Sequence, residues 1–208
     1  MATSEQEADE GPTGVGRIEA FSDGVIAIII TIMVLELHAP AVPTLAALGP
    51  LAPVFLGYAL SFVYVGLYWN NHHHFFNLVS QTSGGILWAN LHWLFWLSLI
   101  PFATAWHGDH PFASAPAALY GVVLLGAAAA WWLMQRVVIA HQGAESRLKA
   151  ALGVDWKGLL SPVLYLIGIG LAFVAPLLSD MAYAIVAAIW LIPDRRVERA
   201  VRAGAPDA

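Results

Sequence analysis

Long apolar runs separated by short polar stretches make up most of the chain. Six of the runs predict helices that span a membrane. The predicted spans cover residues 18–37, 50–70, 85–106, 114–135, 158–178 and 180–193. Only Ser179–Asp180 separate the last two runs, so they are predicted to form a tight helical hairpin.

The composition agrees with this pattern. Of the 208 residues, 59% are hydrophobic and only 11% are charged, whereas about a quarter of a soluble domain is charged. The fold class predicted is therefore an all-α polytopic membrane protein, with membrane lipid as a partner. The absence of cysteine excludes disulfides, thiolate metal sites and cysteine nucleophiles. The sequence lacks the clustered basic residues that would indicate a nucleic-acid partner.

The nine basic residues predict the orientation. They fall before the first span, between the fourth and fifth spans, and after the sixth: Arg17; Arg136, Arg147, Lys149 and Lys157; Arg195, Arg196, Arg199 and Arg202. Six spans place all nine on one side, which the positive-inside rule makes cytoplasmic. The prediction is a multi-pass protein of the inner (plasma) membrane with both termini in the cytoplasm.

Three regions follow along the chain. Residues 1–16 are predicted to be a disordered acidic tail, residues 17–193 a six-helix transmembrane domain, and residues 194–208 a basic cytoplasmic tail. Within the last region, 194–204 fits either a short interfacial helix or a solvated basic end.

The first span carries Ser22, Asp23 and Thr31, polar residues that hydrocarbon penalises. An ionisable group inside a span needs a partner, and a histidine or a tryptophan indole on another helix is expected for Asp23. At about 100° per residue, Asp23 lies opposite an apolar stripe about 100° wide. The stripe consists of Ile28, Thr31, Ile32 and Leu35. Periodicity alone does not decide whether this stripe packs against other helices, contacts lipid or lines a pore. Thr31 by itself most often bonds to the carbonyl of its own helix, here that of Ala27.

A motif in the same span narrows these alternatives. Arg17-x-x-x-Phe21-Ser22-Asp23, followed by Ala27-Ile28 and Thr31, resembles the first-helix motif of the endolysosomal transmembrane potassium channels and their prokaryotic relatives. The six-span layout and Trp69-x-x-His72 extend the resemblance over about residues 17–193.

The resemblance implies a homotetramer whose first helices line a central pore. By position, Ile28 and Leu35 would form apolar rings, with Thr31 as a polar layer between them and Ile32 as a neighbour. The permeant species would be K⁺ and other monovalent cations, with no cofactor and no bound metal. A helix-packing network would comprise Arg17, Phe21, Ser22, Asp23 and Trp69, with His72 as first histidine and His73 as second.

The function implied is passive, leak-type conduction of potassium rather than enzyme activity. The sequence contains no TVGYG-like filter and no arginine-studded span, so weak to moderate selectivity for K⁺ over Na⁺ and no voltage sensor are expected. An apolar neck would gate by wetting and dewetting.

Two alternatives remain. A metal enzyme would need the histidines His72, His73 and His74 or the spacing His107-Gly-Asp-His110, but consecutive helical residues diverge by about 100° and cannot all bind one ion. A proton-coupled or proton-conducting transporter would use Asp23 and His72 as a relay. No serine has the surroundings of a hydrolase nucleophile.

Overall fold

The computed structural model describes residues 14–143, 146, 148–149 and 155–192, and every long regular element within them is an α-helix. The elements are α1 (Gly14–Leu35), a 3₁₀ segment (Leu45–Leu51), α2 (Ala52–Phe76), α3 (Gly84–Ser98), α4 (Ile100–Asp109), α5 (Ser114–Gln142), α6 (Trp156–Ala172) and α7 (Pro176–Leu191). This confirms the predicted all-α fold. Helix α1 includes residues 14–16, which the sequence analysis assigned to the tail. The tail 194–208 lies outside the described residues.

Six helical units match the six predicted spans. Four are long and apolar enough to cross a membrane: Gly14–Leu35, Leu45–Phe76, Gly84–Asp109 and Ser114–Gln142. The third consists of α3 and α4, which are separated at Leu99 because Pro101 lacks a backbone donor and begins a new helix. The fifth and sixth, α6 and α7, are shorter.

The position predicted for the last turn is wrong. Helix α6 ends at Ala172, and α7 begins at Pro176, so Ser179 and Asp180 lie inside α7 rather than between helices. Proline is favoured in the first turn of a helix, where its missing N–H would have no partner. Pro176 therefore starts the last helix instead of lying within the previous one.

Two basic residues predicted in a loop belong to helices. Arg136 lies in the last third of α5, and Lys157 lies in the first turn of α6. Lys157 is only 5% exposed, and its Nζ donates to the carbonyl of Ile192, 2.6 Å away, just after α7 ends. The last carbonyls of a helix have no partner within it, so the long lysine side chain can supply one.

The interior of the subunit is built around α5. This helix packs against α3, α4, α6 and α7, whereas α1 packs against α2, α3 and α4. The main core includes Trp93, Leu124 and Tyr183, all fully buried. Small residues allow the helices to approach closely: a Cβ atom added at Gly126 of α5 would overlap the indole of Trp96. Helix α1 therefore lies at the edge of the subunit.

Candidate functional site

Helix α1 has one buried face and one outward face. Its buried residues are Ile18, Ser22, Ile26, Ile29 and Met33, and they contact the core formed with α2, α3 and α4. On the opposite face lie the four residues of the exposed stripe: Ile28, Thr31, Ile32 and Leu35. Ile28 is 59% and Leu35 is 71% exposed in the single subunit. The apolar stripe thus faces away from the subunit's own core.

The hydroxyl of Thr31 is used locally. Its Oγ1 donates to the carbonyl oxygen of Ala27, one turn earlier, at 2.8 Å. This is the bond that threonine most often forms inside a helix. The oxygen keeps its capacity to accept, so the outward face carries one polar position between two strongly exposed aliphatic ones.

A buried polar relay fixes the inner face of α1. Asn90 of α3 donates from Nδ2 to Ser22 Oγ at 2.9 Å, and its Oδ1 accepts from His72 Nε2 at 3.0 Å. All three side chains are nearly inaccessible. The imidazole of His72 also stacks on Trp93, with centroids 5.0 Å apart and planes 6° apart. Buried polar groups that are fully paired rigidify a helix contact.

The relay revises the sequence-based view of His72. The ring reaches α1 through Asn90 and not by a direct bond to Ser22. Asn90 was not predicted, because a histidine of α2 was assumed to bond directly to the motif residues of α1. A signal existed: Asn90 is an amide within a tryptophan-rich span, and a polar residue at that depth requires a partner.

Two further contacts hold α1 to α2 at a more exposed position. The indole Nε1 of Trp69 donates to Asp23 Oδ1 at 3.0 Å, so an indole, one of the two partner types expected, pairs with Asp23. His73 Nδ1 lies 3.8 Å from Glu19 Oε1. Glu19 was not among the predicted site residues, although it stands one turn before Asp23.

The remaining members of the motif lie elsewhere. Arg17 and Phe21 are exposed and belong to the outward side of α1 rather than to the buried relay. At the other end of the subunit, His107 Nε2 lies 2.8 Å from Asp180 Oδ1, so α4 and α7 are joined there. Among the described residues, no group of three histidine, aspartate or glutamate side chains is arranged to hold a metal ion.

Comparison with known proteins gives these features a context. The family model described as "Endosomal/lysosomal potassium channel TMEM175" matches residues 17–101. A protein from Chryseobacterium named a potassium channel is 51% identical over 90% of this chain and 97% of its own length. A rat protein named an endosomal/lysosomal proton channel is 41% identical, but over only 35% of this chain and 18% of its own length.

A solved structure extends the similarity to the fold. It is the crystal structure of a lysosomal potassium-selective channel homologue from Chamaesiphon minutus. The two structures superpose with a TM-score of 0.73 at 30% identity, over 88% of this chain and 97% of that one. The long helices, the outward stripe of α1 and these relatives lead to one conclusion: the chain belongs to the TMEM175 family of multi-pass membrane channels.

Proposed function

We propose that this protein is a potassium-permeable cation channel that works as a homotetramer, with four copies of α1 around a central pore. The observation that carries the proposal is the exposed stripe of α1. Its aliphatic residues, led by Ile28 and Leu35, face away from the subunit core. One subunit contributes a single copy of α1, so several subunits are needed for this helix to enclose a path.

The pore would narrow at two apolar rings. Ile28 and Leu35 lie seven residues apart, about two turns, so four copies would give two aliphatic rings separated by about 10 Å. Thr31 lies between them, and Ile32 flanks the stripe. An apolar neck passes ions only when it is wet, so dewetting would close it. Because such a neck lacks a cage of carbonyl oxygens, weak to moderate selectivity for K⁺ over Na⁺ is expected.

The inner face of α1 would set the width of this neck. The relay of Ser22, Asn90 and His72, together with the pair Asp23–Trp69, holds α1 against α2 and α3. Displacing α1 by a fraction of a helix diameter would move all four stripes relative to the axis. These residues would therefore act on conduction through the position of α1, without touching the ion.

The orientation and the location rest on different observations. The nine lysine and arginine residues favour cytoplasmic termini, and the bacterial source of the similar potassium channels favours the plasma membrane of a prokaryotic cell. The residues described around α1 offer structural hydrogen bonds rather than a nucleophile and base. Passive transport without catalysis or a cofactor suits this arrangement.

Ion flux from liposomes tests the proposal. Purified protein is reconstituted into vesicles loaded with isotopically labelled K⁺, Na⁺ or Cs⁺, and loss of the label is followed after dilution into the same concentration of the unlabelled ion, so that the exchange carries no net charge. We expect flux down each gradient, with K⁺ faster than Na⁺ and no need for a counter-gradient. Flux equal to that of protein-free vesicles would refute channel activity.

Proton conduction is the second candidate, because relatives such as the rat protein are named proton channels. It would use Asp23 and His72. These residues bond to different partners, Trp69 and Asn90, so a relay would require one of those bonds to break. A pH-sensitive dye inside the same vesicles separates the two functions. Proton flux lost in Asp23→Asn, with K⁺ flux retained, would favour the second candidate.

A further inference from the structure

A cavity of about 480 Å³ lies between α2, α5, α6 and α7. None of its lining residues comes from α1, so it is separate from the proposed pore, and an inference about it goes beyond conduction. The volume falls within the range of about 300–1,000 Å³ that is typical of small-molecule sites. It is in the lower half of that range, which favours a ligand with one acyl chain over a ligand with two.

The walls are mainly apolar and aromatic. Tyr64, Trp131, Tyr165 and Trp190 contribute rings from four different helices. Tyr68 also lines the cavity, and its buried hydroxyl has no hydrogen-bond partner among the described residues. A buried hydroxyl without a partner is costly, and a ligand oxygen inside the cavity would remove that cost.

One part of the lining is basic. Arg136 of α5 and Lys149 contribute two cations. The guanidinium of Arg136 lies over the ring of Trp132, 5.0 Å from its centroid, so it is held beside the cavity. Asp155 is the acidic residue of the lining, but its Oδ1 accepts from the backbone N–H of Gly158 and caps α6. The carboxylate keeps its negative charge, but the two cations outnumber it, so the lining still favours an anion.

We infer that this cavity binds a single-chain anionic amphiphile, with its head group at Arg136 and Lys149 and its acyl chain among the aromatic rings. Guanidinium groups bind carboxylate and phosphate through paired, charge-assisted hydrogen bonds. An acyl chain among these rings removes its own apolar surface from water. A fatty-acid carboxylate and a lysophospholipid phosphate both have this head-group chemistry.

Binding of radiolabelled palmitate to the full chain in neutral detergent tests the inference. We expect saturable binding of about one palmitate per chain. Arg136→Gln should weaken it about tenfold, since a charge-assisted hydrogen bond is lost, and Arg136→Lys, which keeps the charge but not the paired donors, should give an intermediate affinity. His141→Gln, an exposed change farther along the same helix, is the matched control and should bind like the unchanged protein.

A second variant tests the apolar part of the site. Ala128 lines the cavity, and Ala128→Phe should fill it and abolish saturable binding. If Ala128→Phe misfolds, the comparison of Arg136→Gln with Arg136→Lys tests the inference instead. The inference is overturned if palmitate methyl ester competes as well as palmitate, or if Arg136→Gln binds normally. Competition by palmitate and by lysophosphatidylglycerol identifies which head group is preferred.

Discussion

Helices α1 and α5 are both long, apolar and able to cross a membrane, yet they serve different purposes. About 28% of the apolar stretch of α1 is buried in the subunit, compared with 50% of that of α5. Helix α5 packs against four other helices and carries the core. Helix α1 packs on one side and leaves an aliphatic stripe uncovered. Similar hydropathy therefore conceals one helix that carries the subunit's core and another that leaves one face uncovered in the single subunit.

The largest expected change in the free energy of unfolding comes from comparing substitutions at two glycines, one in α5 and one in α1. Gly126→Leu in α5 should lower the free energy of unfolding by about 3 kcal/mol, because the new side chain overlaps Trp96. Gly24→Leu in α1 should change it by less than about 0.5 kcal/mol, because nothing lies within 4 Å of the added Cβ. Tryptophan fluorescence during unfolding of dispersed subunits measures both. Equal losses would mean that the outward face of α1 is packed inside the subunit.

The second prediction concerns the one polar cluster on the buried side of α1. Asn90→Leu should lower the free energy of unfolding by about 2 kcal/mol, because it leaves Ser22 and His72 buried without their hydrogen-bond partner. The same unfolding measurement applies. Asn70→Leu, an exposed change in α2, is the control and should lower the free energy of unfolding by less than about 0.5 kcal/mol. If Asn90→Leu proves neutral, the relay does not fix α1.

The third prediction tests the outward side of α1. Ile28→Asn and Leu35→Asn should each raise K⁺ efflux from liposomes about tenfold, because an amide in the neck favours water and lowers the barrier by about 1.4 kcal/mol. Leu133→Asn changes an exposed leucine of α5, 40% accessible, and should leave efflux unchanged. Unchanged efflux in both α1 variants would show that α1 does not line the pore and that its role does not differ from that of α5 in this respect.

The smallest effect is expected at the exposed pair of α1. Trp69→Phe keeps an aromatic ring at this position but removes the N–H donor to Asp23. It should lower the free energy of unfolding by less than about 1 kcal/mol. Water or lipid head groups can replace an exposed hydrogen bond. Trp88→Phe, at a residue 75% exposed on α3, is the control. A loss as large as that of Asn90→Leu would show that both sides of α1 are held equally.

The sequence predicted the helices and the stripe because both depend on local periodicity. Apolar runs of about 20 residues can only be spans, and the angle between Ile28 and Ser22 follows from helix geometry alone. A histidine or an indole was expected as the partner of Asp23 because an ionisable group inside a span needs one, and the partner is the indole of Trp69.

Other features depend on contacts between distant segments and were not predictable in this way. Ser22 and Asn90 are 68 residues apart, and their meeting requires the packing of α3 on α1. Lys157 was assigned to a loop because charge argues against burial, and only the nearby end of α7 gives it a carbonyl partner. The last turn was misplaced because Pro176 was treated as a residue inside a span, although proline favours a helix start.

The hairpin of α6 and α7 has a consequence for the surrounding lipid. With 17 and 16 residues, these helices rise about 26 Å and 24 Å, several ångströms less than a hydrocarbon core of about 30 Å. The bilayer beside them must thin to cover their ends, and each ångström of mismatch costs a fraction of a kcal/mol. Vesicles made of shorter-chain phospholipids would relieve that deformation and should accommodate this protein best.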